Sequence, residues 1–264
     1  MARERMFDSS SDLGAEWLGL MAALFDPPST MLLDEIGVGP GWRCLELGGG
    51  EGSIARWMAR RSGPAGRVVA VDLDTDHLST PPGVEVHRHD ITEGLPVVGT
   101  FDVIHARNVL MGITDRERVF KTLVDAVAPG GWLVVGDARE RPQQVLATPG
   151  DADAELVDRV IRVGIDRVVN STGASWQWAD EAEPAMAAAG LIDVHGLEYC
   201  RMLSGGNVAC QLNDNYVRQM EPALLRLGIT PEELARFHAL MSDPQFRAWP
   251  FLQMVYSAGR KPNE

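Results

Sequence analysis

Apolar residues along this chain recur in two alternating rhythms. Short apolar runs at 44–47, 67–72, 84–89, 101–105 and 132–137 each read as a strand. Between them the spacing turns helical: Ile54, Trp57 and Met58 share one face, as do Val119, Phe120, Leu123, Val124 and Val127. Ahead of the first strand, Leu13, Trp17, Leu20, Met21 and Leu24 predict a helix over 12–25 that Pro27-Pro28 ends, followed by a short helix over 30–36. Residues 1–11 read as loosely packed. Thr114 and Glu117 form a capping-box pattern for the helix after the fourth strand, and Pro129-Gly130-Gly131 breaks that helix before the fifth. Strand and helix alternate throughout, which predicts an α/β fold built on a doubly wound parallel sheet.

Beyond Asp137 the rhythm weakens. Residues 139–153 read as a loop, 154–169 and 180–189 as helices, and 191–200 as a sixth strand. Helices over 207–227 and 231–241 precede a last strand at 251–258, so an insertion falls at about 204–248. No repeat, low-complexity tract or linker divides the chain. The expectation is one domain over 1–264, with N-terminal helices in 1–41, a ligand-binding half in 42–140 and a second half in 141–264.

Composition narrows the class. A net charge of −13, with no basic run longer than Arg60-Arg61, leaves no positive footprint for a phosphate backbone, so nucleic acid is not expected as a partner. Cys44, Cys200 and Cys210 are scattered, without a C-x-x-C or a histidine cluster, so neither a metal site nor a disulfide framework is expected. The N-terminus has no apolar signal region, and no run approaches the roughly 18 apolar residues of a membrane span. A cytoplasmic location with no membrane partner is the expectation.

The chemistry centres on residues 42–58, WRCLELGGGEGSIARWM. A strand, four glycines (Gly48, Gly49, Gly50, Gly52) and a helix start make a nucleotide-binding corner, where backbone approaches a ligand and free N–H groups are offered. The spacing is G-x-G-x-G, with Ser53 where a dinucleotide fingerprint wants its third glycine. Glu46 stands two residues before the first glycine. A carboxylate there repels a pyrophosphate but attracts the ammonium of an amino-acid-bearing nucleoside. Asp72, at the carboxyl end of the second strand and 20 residues beyond Gly52, is placed to accept from both hydroxyls of a ribose.

This pattern resembles motif I of class I S-adenosylmethionine-dependent methyltransferases, and the helix, P-G-G turn and apolar strand near residue 130 resemble a second passage of that family. The specific likeness covers about residues 35–140, and the segments GWRCLELGGGEGSIARWM and FDVIHARNVL look like bacterial small-molecule methyltransferases. The resemblance implies a mostly parallel seven-stranded Rossmann-like sheet ending in an antiparallel hairpin. It implies S-adenosylmethionine as cofactor and S-adenosylhomocysteine as product. Glu46, the four glycines, Asp72 with Leu73, Asp90 with Ile91 against the adenine, and Arg107 near the methionine end become the expected cofactor residues. The methyl acceptor is expected to be a small, aromatic or polyketide-like metabolite; a homodimer is left open.

Many relatives carry histidines after the fourth strand. Here the matching run is Leu110-Met111-Gly112-Ile113, with none. Three other residues remain as candidate bases: His105 and Asp137 at the carboxyl ends of strands, and His195 on the sixth strand. The alternative is catalysis by alignment, because displacement from a sulfonium needs mainly positioning. Trp176, Trp178, Met186, Met202, Met220, Trp249 and Met254 are candidates for an apolar, adaptable pocket. Two rival functions share the corner: a nicotinamide-dependent oxidoreductase, and a methyltransferase-like binding protein with a non-methylating activity such as cyclisation.

Overall fold

A computed structural model describes residues 11–170 and 173–263, so all but Ser11 of the segment 1–11 read as loosely packed lies outside the described residues. The strand rhythm folds into one sheet: β1 (Arg43–Leu47), β2 (Arg67–Asp72), β3 (Val84–Arg88), β4 (Phe101–Arg107) and β5 (Val127–Glu140), joined by β7 (Ile192–Tyr199) and β10 (Leu252–Arg260). Their order is β3-β2-β1-β4-β5-β10-β7, parallel from β3 to β5, with β10 antiparallel to β7. The expected seven-stranded, mostly parallel sheet is observed. Val68, Val69, Ala70 and Val71 are all buried, as a central parallel strand covered on both faces requires.

Register then decides which side chains meet. Leu47 pairs with Val71 and Ala106, and Arg107 pairs with Gly136, so the carboxyl ends of β1, β2, β4 and β5 share one edge. Paired residues of parallel strands face the same way, and neighbours along a strand alternate. Leu45, Leu47, Ile104, Ala106, Leu133 and Val135 form one face, packed with Phe120 and Leu123 of α3 (Arg116–Ala126) and with Trp178 and Met186 of α5 (Trp178–Ala188). Glu46 and His105, which pair directly, lie on the other. Trp178 and Met186 are therefore core of the sheet and not pocket lining; the Trp178 ring meets Phe120 edge-on at 5.5 Å.

Four local expectations are corrected. The prolines do not end the first helix: α1 runs continuously from Asp12 to Glu35. Its hold comes from elsewhere, since the Tyr256 hydroxyl donates to the Phe25 carbonyl, the Thr30 hydroxyl to the Asp26 carbonyl, and Leu32 and Leu33 are fully buried. Packing outweighs the local penalty of proline. Thr114 does not cap α3, which starts at Arg116 behind Asp115; the Asp115 carboxylate pairs with Arg118 instead. Pro129-Gly130-Gly131 is inside β5, because the Gly130 N–H donates to the Lys261 carbonyl and the Lys261 N–H to the Gly131 carbonyl. Residues 139–153 contain a strand, β6 (Gln144–Ala147), too short to leave a period in the sequence.

The chain forms two compact units. One holds residues 25–139, 175–199 and 254–263, and so contains almost all of the seven-stranded sheet. The other holds 11–24, 140–170, 173–174 and 200–253. It contains α4 (Asp153–Gly164), α6 (Val208–Arg226), α7 (Pro231–Ser242) and a small antiparallel sheet in which β9 (Arg247–Trp249) lies between β6 and β8 (Leu203–Ser204). Val157, Leu212, Leu224, Phe237 and Leu240 form its core. Thr230 and Glu233 start α7 with a reciprocal capping box, and Arg236 holds Asp153 by two bonds of 2.6 and 2.8 Å. No described helix is long and apolar enough to cross a membrane.

Candidate functional site

The glycine turn after β1 is held by named bonds. The Gly48 N–H donates to the Val71 carbonyl at 2.9 Å, and the Gly50 N–H donates to Asp72 Oδ2 at 3.0 Å. Asp72 Oδ1 accepts from the Asp74 N–H at 3.0 Å, so both carboxylate oxygens are fixed while lone pairs remain for a diol. Gly48 and Gly52 have φ of 68° and 85°, backbone that side-chain-bearing residues rarely adopt. Gly52 begins α2 (Ser53–Ser62). Arg56, one turn into α2, staples the turn: its Nη1 donates to the Glu51 and Ser79 carbonyls, both at 2.6 Å. Nothing in the sequence pattern marks Arg56, which looks like one more polar residue on an amphipathic helix.

Glu46 and His105 are joined on the face away from Phe120. His105 Nδ1 lies 2.8 Å from Glu46 Oε2, with side chains 0% and 4% exposed. Burial pushes the Glu46 carboxyl up, while His105 and then Arg107 pull it back down. Arg107 is itself anchored, donating to Asp26 at 2.9 Å and Ser29 at 3.0 Å on α1. Burial raises the nearby Tyr256 hydroxyl to about 12, so it stays a donor. Asp26, Ser29 and Tyr256 carried no signal in the sequence; only the tertiary fold brings them to Arg107.

The other expected residues fall in different places. Asp90 is exposed and caps a short turn (Ile91–Glu93), its carboxylate accepting from the Thr92 N–H and hydroxyl at 2.9 and 2.7 Å. Ile91 is half-buried against the core and Leu73 is exposed. Asp137 does sit at the carboxyl end of β5, beside the segment after β4, accepting from the Met111 N–H at 3.4 Å. By strand alternation it faces the Phe120 side, opposite His105. His195 is not brought to this edge. It lies mid-strand on β7, the outermost strand, opposite Ala258, with Nδ1 on the Asp193 carbonyl and its ring 5.7 Å from Trp132.

The three candidate bases therefore never converge on one point. Asp137 is fully buried, and burial drives its carboxyl from 3.8 to about 7, against the Met111 and Val109 N–H groups, Trp178 and Arg116, which favour the charged form. The folded protein thus holds a proton on Asp137 that the unfolded chain releases near pH 4. Stability from this group falls as pH rises from about 4 to about 7 and is level above that. Asp137→Asn is expected to remove this slope. Urea unfolding at pH 5, 6, 7 and 8 should show the variant gaining on the wild type up to pH 7, then a constant difference. A constant difference from pH 5 onward would show that Asp137 is ionised throughout.

The acceptors at this edge fit the donors of an amino-acid-bearing nucleoside. Asp72 retains acceptor capacity for a ribose, and Glu46 uses one oxygen on His105, leaving Oε1 without a partner among the described residues. Residues 10–196 match the model of the family described as the methyltransferase domain. The chain belongs to this family, with the class I Rossmann-like fold. Methyltransferase str2 of Strobilurus tenacellus is 36% identical over 107 residues, 40% of this chain and 38% of that protein. The ubiquinone/menaquinone biosynthesis C-methyltransferase UbiE of Vibrio parahaemolyticus is 31% identical over 113 residues, 39% of this chain and 44% of that protein. The match thus spans less than half the length of these curated relatives. Among solved structures, Haemonchus contortus phosphoethanolamine N-methyltransferase 2 in complex with S-adenosyl-L-methionine superposes with a TM-score of 0.58 at 16% identity, over 96% of this chain and 58% of that one. A methyltransferase from Aquifex aeolicus gives 0.50 at 15% identity, over 96% and 98%. These likenesses are of fold.

Proposed function

We propose that this chain is an S-adenosylmethionine-dependent methyltransferase acting on O, N or C of a small, flat, aromatic or polyketide-like metabolite. The observation that carries the cofactor is the pair of carboxylates, Glu46 and Asp72, flanking one stapled glycine turn. When bound, the cofactor supplies a methyl group on a sulfonium, already activated for displacement. The protein's part is then to orient: Asp72 holds a diol, Glu46 an ammonium, and Asp90 with Ile91 borders the adenine. Arg107 ties α1 to the end of β4 beside them. The substrate class is supported by a relative named as a ubiquinone/menaquinone biosynthesis C-methyltransferase.

Alignment, and no dedicated base, carries catalysis in this reading. His105 is sealed and bonded to Glu46, Asp137 faces the sheet's core side, and His195 is strands away. Titration calorimetry with S-adenosylhomocysteine and NAD tests the cofactor; NAD binding the tighter would end the reading. Product mass tests the chemistry: the acceptor gains one methyl group as S-adenosylhomocysteine is released. At saturating substrate, Asp137→Asn and His195→Ala are each expected to keep turnover within about tenfold of wild type, well short of the ~10²–10⁴-fold of a lost general base.

A further inference from the structure

His105 is a buried ionisable side chain on the Glu46 face that the proposed chemistry leaves without a task. It is fully buried, in direct register with Glu46, and bonded to it at 2.8 Å. Its second nitrogen, Nε2, is buried with no hydrogen-bond partner among the described residues. That asymmetry fixes the ring. A charged imidazolium would leave a buried N–H donor unpaired, whereas the neutral ring with its proton on Nδ1 leaves only a lone pair there.

We propose that His105 is a positioning residue, which as the neutral Nδ1–H tautomer holds Glu46 as an oriented carboxylate for the ammonium of the cofactor's amino-acid arm. This rests on the cofactor reading above. The groups facing Glu46 are His105 and Arg107 from β4, Asp26 from α1 and Cys44 on its own strand; Tyr256 of β10 lies beyond, near Arg107. Arg107 is paired with Asp26 at 2.9 Å, and Asp26 opposes its effect on Glu46, so part of the Glu46 charge is left for a ligand cation. Without the His105 N–H, burial would favour a protonated Glu46, which attracts no ammonium. The donated bond holds the carboxylate in charge and in direction at once.

The test separates the ammonium from the rest of the ligand. Dissociation constants are measured for S-adenosylhomocysteine and for 5′-methylthioadenosine, which lacks the amino-acid arm, between pH 6 and pH 8. His105→Leu removes the donor, and His105→Asn places an amide N–H where Nδ1 stood. For His105→Leu, S-adenosylhomocysteine should bind at least tenfold more weakly at pH 6, with a loss that shrinks as pH rises, while methylthioadenosine stays within twofold. His105→Asn should restore most of the loss. Glu46→Gln should reproduce the selective loss, and adding His105→Leu to it should deepen it no further. Equal losses for both ligands at every pH would mean that His105 only packs, and unchanged affinities that it orients nothing; either overturns the proposal. If His105→Leu does not fold, His105→Asn and Glu46→Gln decide: an unchanged S-adenosylhomocysteine constant in Glu46→Gln also overturns it. Wild-type protein that binds neither ligand would sink the cofactor reading itself, a distinct result.

Discussion

Gly52→Ala should lower the affinity for S-adenosylhomocysteine by 100-fold or more, an order-of-magnitude expectation built from two penalties at one position. The backbone of Gly52 has φ of 85°, which costs a side-chain-bearing residue about 1–2 kcal/mol. A Cβ there would lie 2.7 Å from the Ser79 carbonyl oxygen and 3.3 Å from Thr80 Cγ2. That carbonyl has little room to yield, because Arg56 Nη1 holds it at 2.6 Å and the Ser79 N–H donates to the Glu51 carbonyl at 3.2 Å. Overpacking of this kind adds roughly 1–3 kcal/mol. The strain falls on the turn whose Gly50 N–H meets Asp72, so it is read as lost ligand affinity more than as lost fold. Calorimetry alongside thermal unfolding checks it. An intact dissociation constant would show that the turn does not form the cofactor cradle.

Asp72→Ala acts on the same cradle through charge. A charge-assisted bond to a ribose hydroxyl contributes about 1.5–3 kcal/mol, so its loss weakens binding roughly 10–150-fold. The substitution also frees the Gly50 and Asp74 N–H groups, both at 3.0 Å from the carboxylate, and loosens the turn from β2. Asp74→Ala is the control, since Asp74 pairs outward with Arg88 at 3.1 Å. The two variants should differ by at least tenfold in the dissociation constant. Equal constants would place the ribose elsewhere.

The centre of the sheet was legible because its strands are buried on both faces. Continuous apolar runs such as Val68–Val71 announce themselves without any neighbour, and the Asp72 that closes this one marks the ligand edge. Features set by competition between local and distant forces were not. Pro27-Pro28 carries a local stop signal that buried Leu32, Leu33 and the Tyr256 bond override. Thr114 and Glu117 spell a capping box that α3 does not use, while Thr230 and Glu233 form a genuine one. The same four-residue pattern has two outcomes, because chain entry into the helix is decided by the surrounding packing.

The sequence by itself determined the doubly wound class, the strand-glycine-helix corner and the two carboxylates at strand ends, since each depends on spacing within a few residues. Only the tertiary structure decided what those carboxylates touch. Glu46 and His105 are 59 positions apart, and Arg107 and Asp26 are 81 apart. Their meeting follows from strand register and from a helix that ignores its prolines. It also decided that His105, Asp137 and His195 are not a cluster: alternation turns the first two to opposite faces, and strand order carries the third to the sheet's edge. A period in the sequence tells which face a residue takes relative to its neighbours along the strand. Which strand lies beside it is settled by the balance of the whole fold.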